Sequence, residues 1–395
     1  MIFHAEPIFV FVLGAIVGSF LNVCIYRLPL EKSLIWPGSR CGNCLQPVRW
    51  YDNIPLISYW VLGGRCRVCG QEYSIRYFLI ELLTAGGFLG LYYLEVIRNV
   101  HGLDRYVLGE WRYVIATRVI LAVHALLLSF LIVATFCDFD YQIIPLPLTI
   151  TGTLVGLLIA VSFPWPWPYT PLEARALPVQ RVAWWRVEPE WMNPRHPNVV
   201  RMGGIYPWPV WGPLPEWLGP GDNWKTGLAT GLAGLLAGTL VLRAIRFFFG
   251  IGGGAEYSEP VQTPADEPPV WFGRRWLSWV GRIGGRAMGL GDADLMMMAG
   301  TFMGWQLVIV AFFIGVIPGL FFGLAQMVFR GGNVMPFGPS LAIGVMLTAL
   351  SWRWIGPYVQ PAFFNGQFVL VMGAGCCVAM VLLAYLMRLA KMARS

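Results

Sequence analysis

Two pairs of aspartates stand beside long apolar segments of the chain. Asp138 and Asp140 close one such segment in DFDYQIIP, and Asp292 and Asp294 open another in GLGDADLMMMAG. Ionisable groups at the depth of a membrane are unfavourable, so each pair is a candidate for function. Two carboxylates that face each other across a water share one proton, because like charges repel. One can then activate the water while the other protonates a carbonyl oxygen, which is aspartic-protease chemistry.

The members of each pair are two residues apart, so they do not share a helix face. We therefore expect one acid of each pair in a catalytic dyad. Gly289 and Gly291 flank the turn before Asp292 and would let a substrate backbone come close, which favours Asp292 over Asp294. For the other pair the residues alone leave the choice open. The alternative role for each acid is helix capping, which stabilises a helix by about 0.3–1 kcal/mol.

Four of the eight cysteines have the spacing of metal ligands. CGNC supplies Cys41 and Cys44, and CRVCG supplies Cys66 and Cys69. Two such turns can complete a tetrahedron of thiolates around one zinc ion, and four thiolates leave no open position for catalysis. We predict a structural zinc site. The alternative is a pair of disulfides in a loop exposed to an oxidising compartment.

The composition indicates that these residues are carried by membrane helices. Hydrophobic residues make up 57% of the chain and charged residues 12%, whereas soluble domains carry about 25% charged residues. We predict an all-α polytopic membrane protein with about eight or nine transmembrane helices and a small cytoplasmic zinc-ribbon-like domain. The predicted spans are 7–28, 77–96, 114–137, 148–163, 226–249, 293–308, 309–329, 338–355 and 368–390. The pair 293–308 and 309–329 is alternatively one long broken helix.

Basic residues set the predicted orientation. They concentrate in 27–76, in 243–286 and near the C-terminus, which alternation of nine spans places on one side. By the positive-inside rule this side is cytoplasmic, so the N-terminus is exterior and both acidic pairs reach the cytoplasmic membrane edge. The net charge of +7 is explained by contact with anionic membrane lipids, and nothing predicts binding of nucleic acid.

The spans and loops divide the chain into five regions. We predict a first transmembrane helix (1–28), a cytoplasmic zinc-binding domain (29–75), helices carrying the first acidic pair (76–163), a Pro/Trp-rich exterior insert (164–225), and helices carrying the second acidic pair (226–395) with a glycine-rich cytoplasmic loop (250–286).

Several short segments carry a family resemblance. They are GSFLNVCIYRLP, CGNC, WYDNIPLISYW, GRCRVCG, RYFLIELLTA, DFDYQIIP, GLGD and PFGPSLAIG. Together they resemble the type IV prepilin peptidases, also called leader peptidase/N-methyltransferases, which are GxGD aspartic peptidases of the bacterial inner membrane.

The resemblance implies roles for individual residues. Asp138, which begins the D-x6-P pattern ending at Pro145, and Asp292 of GxGD would form the dyad. Gly289, Gly291, Asp140, Asp294 and Pro145 would support the active site, and Cys41, Cys44, Cys66 and Cys69 would hold zinc.

The resemblance also implies a substrate and a second activity. The enzyme would cut the basic leader of type IV prepilins or pseudopilins after its final glycine, at the cytoplasmic face. It would then methylate the new N-terminus from S-adenosylmethionine. The chain has no glycine-rich S-adenosylmethionine fingerprint, so methylation rests on the resemblance alone. Neither the oligomeric state nor the pilus or secretion system served is predicted.

The chain departs from the family pattern at two positions. Leu146 replaces an acid after the proline of D-x6-P, and Asp294 replaces a lysine two residues after the GxGD aspartate. The added negative charge would either raise the proton affinity of the dyad or pair with an arginine of the 274–286 loop.

Three other functions compete with a prepilin peptidase. A presenilin-like GxGD protease that cuts within membrane helices has the same chemistry, but it leaves the cysteines unexplained and the chain has no Pro-Ala-Leu motif near its C-terminus. A Mg²⁺-dependent membrane transferase could use the D-x-D pairs, but it would need further acids and arginines at set spacings. A non-catalytic, zinc-stapled membrane protein is the third.

Overall fold

Helices make up most of the described chain. The structure, a computed structural model, describes residues 5–103, 110–163, 224–253, 290–329, 337–364 and 366–392. The helices are α1 (Glu6–Arg27), α2 (Ile57–Val61), α3 (Arg76–Leu91), α4 (Glu110–Tyr141), α5 (Leu146–Ser162), α6 (Trp224–Gly253), α7 (Leu290–Met303), α8 (Trp305–Phe329), α9 (Gly338–Phe364) and α10 (Gly366–Met392). The β-pairing found among these residues is limited to two isolated bridges in 40–72.

Five described helices are long and apolar enough to cross a membrane. Their apolar parts are Glu6–Arg27, Arg76–Ile97, Tyr113–Tyr141, Gly227–Phe248 and Trp305–Phe322, with shorter apolar stretches at Leu146–Ser162 and Leu370–Leu382. The prediction of an all-α polytopic membrane protein is confirmed. Most of the predicted insert 164–225 and of the predicted loop 250–286 lies outside the described residues.

The predicted pair of spans between 293 and 329 is interrupted at one glycine. α7 ends at Met303, Gly304 has φ +80°, and α8 begins at Trp305. Helical hydrogen bonds flank the break, from Gly304 N to Gly300 O (2.8 Å) and from Val308 N to Gly304 O (3.2 Å). The predicted boundary at 308–309 is therefore wrong. A positive φ cannot continue a right-handed helix, and only glycine adopts it without strain.

Close contact between backbones fixes the position of α7 against α6. A Cβ atom on Gly234 of α6 would lie 1.9 Å from the carbonyl oxygen of Gly300, and one on Gly238 would lie 2.1 Å from that of Met296. No larger residue fits at either place. Glycines four residues apart let membrane helices approach in this way.

The helices α5 and α7 run in parallel. A Cβ on Gly152 would lie 2.2 Å from Sδ of Met298, and one on Gly156 would lie 2.9 Å from Cδ2 of Phe302. Each step of four residues along α5 thus matches a step of four along α7. Both helices rise 1.5 Å per residue, so the same register holds back to their first turns. There it places Asp292 of α7 level with Leu146 of α5, just beyond the end of α4.

The segment 29–75, which we call the cysteine domain, is tied to the helices at two points. The guanidinium of Arg27, at the end of α1, donates to the carbonyl oxygen of Pro37 (2.7 Å). In α3, Oε2 of Glu81 accepts a hydrogen bond from the backbone N–H of Leu56 (2.7 Å). Glu81 lies in a predicted span, where a carboxylate is unfavourable, and this hydrogen bond to the cysteine domain explains why an acid occurs there.

Candidate active site and metal centre

Asp138 is buried in the last turn of α4. Only 7% of the residue is exposed, and its Oδ2 accepts a hydrogen bond from the backbone N–H of Gly338 (2.8 Å). Gly338 is the first residue of α9, where helical N–H groups lack intrahelical partners and the helix dipole favours an anion. The start of α9 therefore holds and orients the carboxylate.

Position 338 tolerates only glycine in this arrangement. A Cβ atom there would lie 2.7 Å from Oδ2 of Asp138 and 3.2 Å from its Cβ. The segment PFGPSLAIG carries part of the family resemblance, but the sequence predicts no role for Gly338. The contact joins residues two hundred positions apart, so the only sequence signal for it is the motif itself.

Asp140 has a different partner. Arg76, the first residue of α3, donates from Nη1 to Oδ1 of Asp140 (2.7 Å) and from Nη2 to Oδ2. A bidentate pair of this kind orients both groups. The same guanidinium lies 5.0 Å from the ring centroid of Phe136. Because both oxygens of Asp140 are occupied by arginine, the geometry favours Asp138 as the dyad candidate, a choice that the residues alone left open.

Asp292 lies in the first turn of α7 and is also 7% exposed. Gly291 precedes it and packs on the turn that joins α4 to α5, since a Cβ there would lie 2.9 Å from Cβ of Ile144. Because Gly291 has no side chain, the turn that contains Ile144 can pack directly against its backbone. Asp138 and Asp292 consequently lie at the same end of the helix bundle.

Two further supporting residues were predicted beside these acids. Pro145 precedes α5 with ψ 126°, and its carbonyl oxygen accepts from the backbone N–H of Leu148 (3.0 Å), so it begins that helix. Gly289 lies outside the described residues, and its role stays a prediction.

Asp294, which stands where the family has lysine, faces an arginine of α6. Its Oδ1 lies 3.8 Å from Nη2 of Arg243. The arginines that the sequence offers as partners lie in 274–286, a segment outside the described residues. The structure supplies a cation from the neighbouring helix, so the negative charge beside Asp292 is offset locally.

The four predicted cysteine ligands form one cluster. Sγ atoms of Cys41 and Cys69 are 3.7 Å apart, those of Cys44 and Cys66 are 4.0 Å apart, and all four lie within 4.8 Å of one another. The thiols are free, whereas a disulfide would need about 2.05 Å. A tetrahedral ion with Zn–S bonds of about 2.3 Å separates its sulfurs by about 3.8 Å. The donor set therefore fits one metal ion of the zinc type.

The two CxxC loops share one backbone pattern. In each, the N–H of the first cysteine donates to the carbonyl five residues on, and that cysteine's carbonyl accepts from the N–H four residues on. The bonds are Cys41 N to Gln46 O (3.0 Å), Leu45 N to Cys41 O (3.0 Å), Cys66 N to Gln71 O (2.8 Å) and Gly70 N to Cys66 O (2.9 Å). The residue after the second cysteine has positive φ in both loops, +58° at Leu45 and +70° at Gly70.

The loops favour the thiolate form at Cys41 and Cys69, whereas at Cys44 the backbone N–H of Gln46 is outweighed by burial and by hydrogen bonds with the neighbouring thiols, which raise the pKa of Cys44 to about 11. Hydrogen bonds from the backbone N–H groups of Cys44 and then Asn43 lower the pKa of Cys41 to about 6. The backbone N–H of Gln71 is the main cause of a lowered pKa at Cys69. Since the thiolate is the form that binds metal, the folded loops prepare these two ligands.

An ion pair braces the cysteine domain. Arg67 donates from Nε to both carboxylate oxygens of Asp52 (2.9 Å each) and from Nη2 to Oδ1 (2.6 Å). These hydrogen bonds lower the pKa of Asp52. The pair connects the second CxxC loop to the 3₁₀ turn Trp50–Asp52.

Comparisons with known proteins confirm the family resemblance. Residues 12–94 match the family model described as Bacterial Peptidase A24 N-terminal domain. Prepilin leader peptidase/N-methyltransferases are 41% identical over 149 residues in Myxococcus xanthus (38% of each chain) and 46% identical over 92 residues in Klebsiella pneumoniae (22% of this chain, 40% of the relative). One from Pseudomonas putida is 23% identical over 364 residues (86% of this chain, 88% of the relative).

The relatives with the higher sequence identity match only part of this chain. The first two relatives are matched over about two fifths of their own length, and both acidic pairs lie outside residues 12–94. No solved structure matches the chain.

Proposed function

We propose that this chain, which resembles the prepilin leader peptidases, is itself an aspartic endopeptidase that removes the leader of type IV prepilins or pseudopilins. The observation that carries the proposal is the placement of Asp138 and Asp292. Both are buried, and both lie where α4, α7 and α9 begin or end at one end of the bundle. The names of the relatives supply the substrate class.

In the proposed mechanism the two acids share one proton. The ionised carboxylate takes a proton from water as the water oxygen attacks the scissile carbonyl carbon, and the protonated carboxyl donates its proton to the carbonyl oxygen. The carboxyl that took the proton from water then gives it to the amide nitrogen, while the other carboxylate takes a hydroxyl proton from the tetrahedral diol, so that the C–N bond breaks, the amine leaves and the acid product forms. Burial of both groups strengthens their interaction, because the local dielectric constant is low.

Two arginines neutralise the acids that are not part of the proposed dyad. Arg76 occupies Asp140, and Arg243 faces Asp294, so the second acid of each pair is balanced by a cation from another helix. Repulsion at the dyad then comes mainly from its own two members. Asp140, Asp294, Gly291 and Pro145 support the site in this proposal, and so does Gly289.

The cysteine domain lies on the same side as the dyad. Arg76 begins α3 directly after this domain and binds Asp140 at the end of α4. We place this end at the cytoplasmic face of the bacterial inner membrane, with the N-terminus exterior, because basic residues concentrate there. A prepilin leader is basic and stays in the cytoplasm, so its cleavage site would reach the dyad from that side.

The cysteine cluster holds one structural zinc ion in this proposal. Zinc would tie the two CxxC loops together, and the four thiolates would leave no position for substrate. A second activity, transfer of a methyl group from S-adenosylmethionine to the new N-terminus, is supported by the names of the relatives alone. Besides prepilin substrates, the expected partners are membrane lipids.

Co-expression with a prepilin tests the proposal. The full chain should shorten the prepilin by the length of its leader, which a mobility shift and mass spectrometry of the product would detect. Asp138→Asn and Asp292→Asn should each abolish the shift, while the matched variant Asp140→Asn should slow the shift without abolishing it. Full processing by both dyad variants, at normal protein levels, would overturn the assignment.

A further inference from the structure

A second cluster of metal-ligating side chains lies at the opposite end of the bundle. Glu6, in the first turn of α1, accepts hydrogen bonds from Tyr92 (2.9 Å) and Arg118 (2.8 Å). The start of α1 therefore meets the end of α3 and the beginning of α4, away from the candidate dyad. Beside this contact, ligand atoms of Glu95, His101 and His124 lie within 4.8 Å of one another.

The three side chains converge on one buried carboxylate. Oε1 of Glu95 is 3.4 Å from Nε2 of His101 and also makes a hydrogen-bonding contact with Nδ1 of His124. Glu95 is 1% exposed and His124 is 4% exposed, whereas the side chain of His101 is 16% exposed. The cluster is therefore closed on the side of the bundle and reachable past His101.

The second carboxylate oxygen of Glu95 makes no hydrogen bond with the described residues. This atom, Oε2, is buried. An unpaired buried carboxylate oxygen destabilises a fold, because nothing compensates the loss of its contacts with water. Such an atom in a native fold calls for an explanation, and an unseen ion is one of the standard explanations.

The backbone around the cluster is shaped to bring His101 over Glu95. Residues Tyr92–Ile97 form a π-helix turn, a rare feature that is frequent at functional sites. Asn99 then turns the chain with φ +47°, and its side chain bonds both the N–H (3.0 Å) and the carbonyl (2.8 Å) of Leu103. The two hydrogen bonds close a loop over residues 99–103, and His101 lies within this loop, 3.4 Å from the carboxylate of Glu95.

We propose that Glu95, His101 and His124 bind one Zn²⁺ ion. Two imidazoles and one carboxylate are an established zinc ligand set, in which the fourth position stays open. The open position here would lie on the side of His101. The ion would connect the π-helix turn, the loop after it and α4.

The geometry needs only a small adjustment to accept the ion. Bonds of about 2.0–2.1 Å in a tetrahedral site place neighbouring ligand atoms about 3.3 Å apart. The separation of His101 and Glu95 already meets this value. The shorter contact between Oε1 of Glu95 and Nδ1 of His124 would lengthen as the ion replaces the proton between them. Oε2, which lacks a partner, could then join Oε1 as a ligand of the ion.

Metal content of the purified full chain in detergent tests the proposal. After equilibration with Zn²⁺ and removal of free ion, the wild type should hold about two ions, one at the four thiolates and one at this cluster. Glu95→Gln and His101→Asn should each lower the content by about one. Glu6→Gln is the matched control, because Glu6 lies at the same end without histidines, and it should retain both.

A second measurement separates this cluster from the cysteine site. In the double variant Cys41→Ser and Cys66→Ser, added Co²⁺ should still give visible d–d absorption of a nitrogen and oxygen site, without thiolate charge-transfer bands. Adding His101→Asn should remove that absorption. A metal content that neither Glu95→Gln nor His101→Asn lowers, or a cysteine double variant that shows no such absorption, would show that the three side chains form an ordinary hydrogen-bonded cluster and overturn the proposal.

Discussion

The backbone N–H of Gly338 lies 2.8 Å from Oδ2 of Asp138 and donates a hydrogen bond to it. This contact joins the end of α4 to the start of α9 and leaves no room for a side chain at position 338. The proposed catalytic acid is therefore held by a backbone group of a distant helix.

Replacing Gly338 should disable the dyad without unfolding the protein. In Gly338→Ala the new Cβ would displace the Asp138 carboxylate, and a misplacement near 1 Å can reduce the rate about a hundredfold. The rate of prepilin processing in membranes measures the effect. Gly373→Ala is the control, since a Cβ at Gly373 meets nothing within 4 Å and its processing should be normal. Equal rates for the two variants would contradict the proposed role of Gly338.

The pair formed by Arg76 and Asp140 should support the site rather than perform the chemistry. Both groups are partly exposed, so we expect the pair to contribute no more than about 1 kcal/mol to stability. Asp140→Asn and Arg76→Met should each slow processing without abolishing it. The double variant should be no slower than the worse single variant, because both changes remove the same contact. Additive losses measured in such a cycle would show that the two residues act separately.

Restoring the family's lysine at position 294 should harm this chain. Asp294→Lys would place an ammonium beside the guanidinium of Arg243, which now faces the carboxylate at 3.8 Å. Like charges at this distance repel, so processing should fall by about tenfold, a change of 1.4 kcal/mol at the helix that carries Asp292. The charge-swapped variant Arg243→Asp with Asp294→Lys should recover much of the rate. If the swap is as slow as the single variant, Arg243 is not the partner that matters.

The first CxxC loop should be improved by glycine. Leu45 has φ +58° and is 67% exposed, so its side chain adds little burial while its backbone is in a left-handed conformation costing roughly 1–2 kcal/mol. Leu45→Gly should slow zinc loss to a chelator. Gly70→Leu, the matching change in the second loop, should speed it. A chelator assay with a chromogenic zinc indicator would measure both, and the opposite order would contradict the equivalence of the two loops.

The ion pair between Asp52 and Arg67 should make the stability of the cysteine domain depend on acid pH. Arg67 lowers the pKa of Asp52 in the folded state, so the stabilisation is present above the unfolded value of about 3.9 and is lost as pH falls through the lower folded value. Asp52→Asn should therefore lower the melting temperature by a constant amount between pH 5 and 8. Below pH 4 the difference from wild type should narrow. A difference that instead grows on acidification would contradict this sign.

Some features of this protein follow from local sequence alone. The membrane class follows from an apolar composition sustained over helical lengths, and the metal cluster follows from spacing, because a CxxC turn aims two sulfurs at one point. The placement of Asp138 and Asp292 at helix ends is also local, since an apolar run stops or starts beside each of them. Apart from the meeting of the two CxxC turns, whose cysteines are more than twenty residues apart, these properties depend on residues within a few positions of one another.

The partners of the acids were decided only by the tertiary structure. Asp138 and Asp140 are two residues apart, yet one meets Gly338 and the other meets Arg76. Asp294 meets Arg243, and Glu95 meets two histidines that sequence reasoning did not single out. Each of these contacts depends on which helices touch and in which register. That register is set by close approaches such as Gly234 against Gly300, between residues too distant along the chain for spacing or periodicity to relate them.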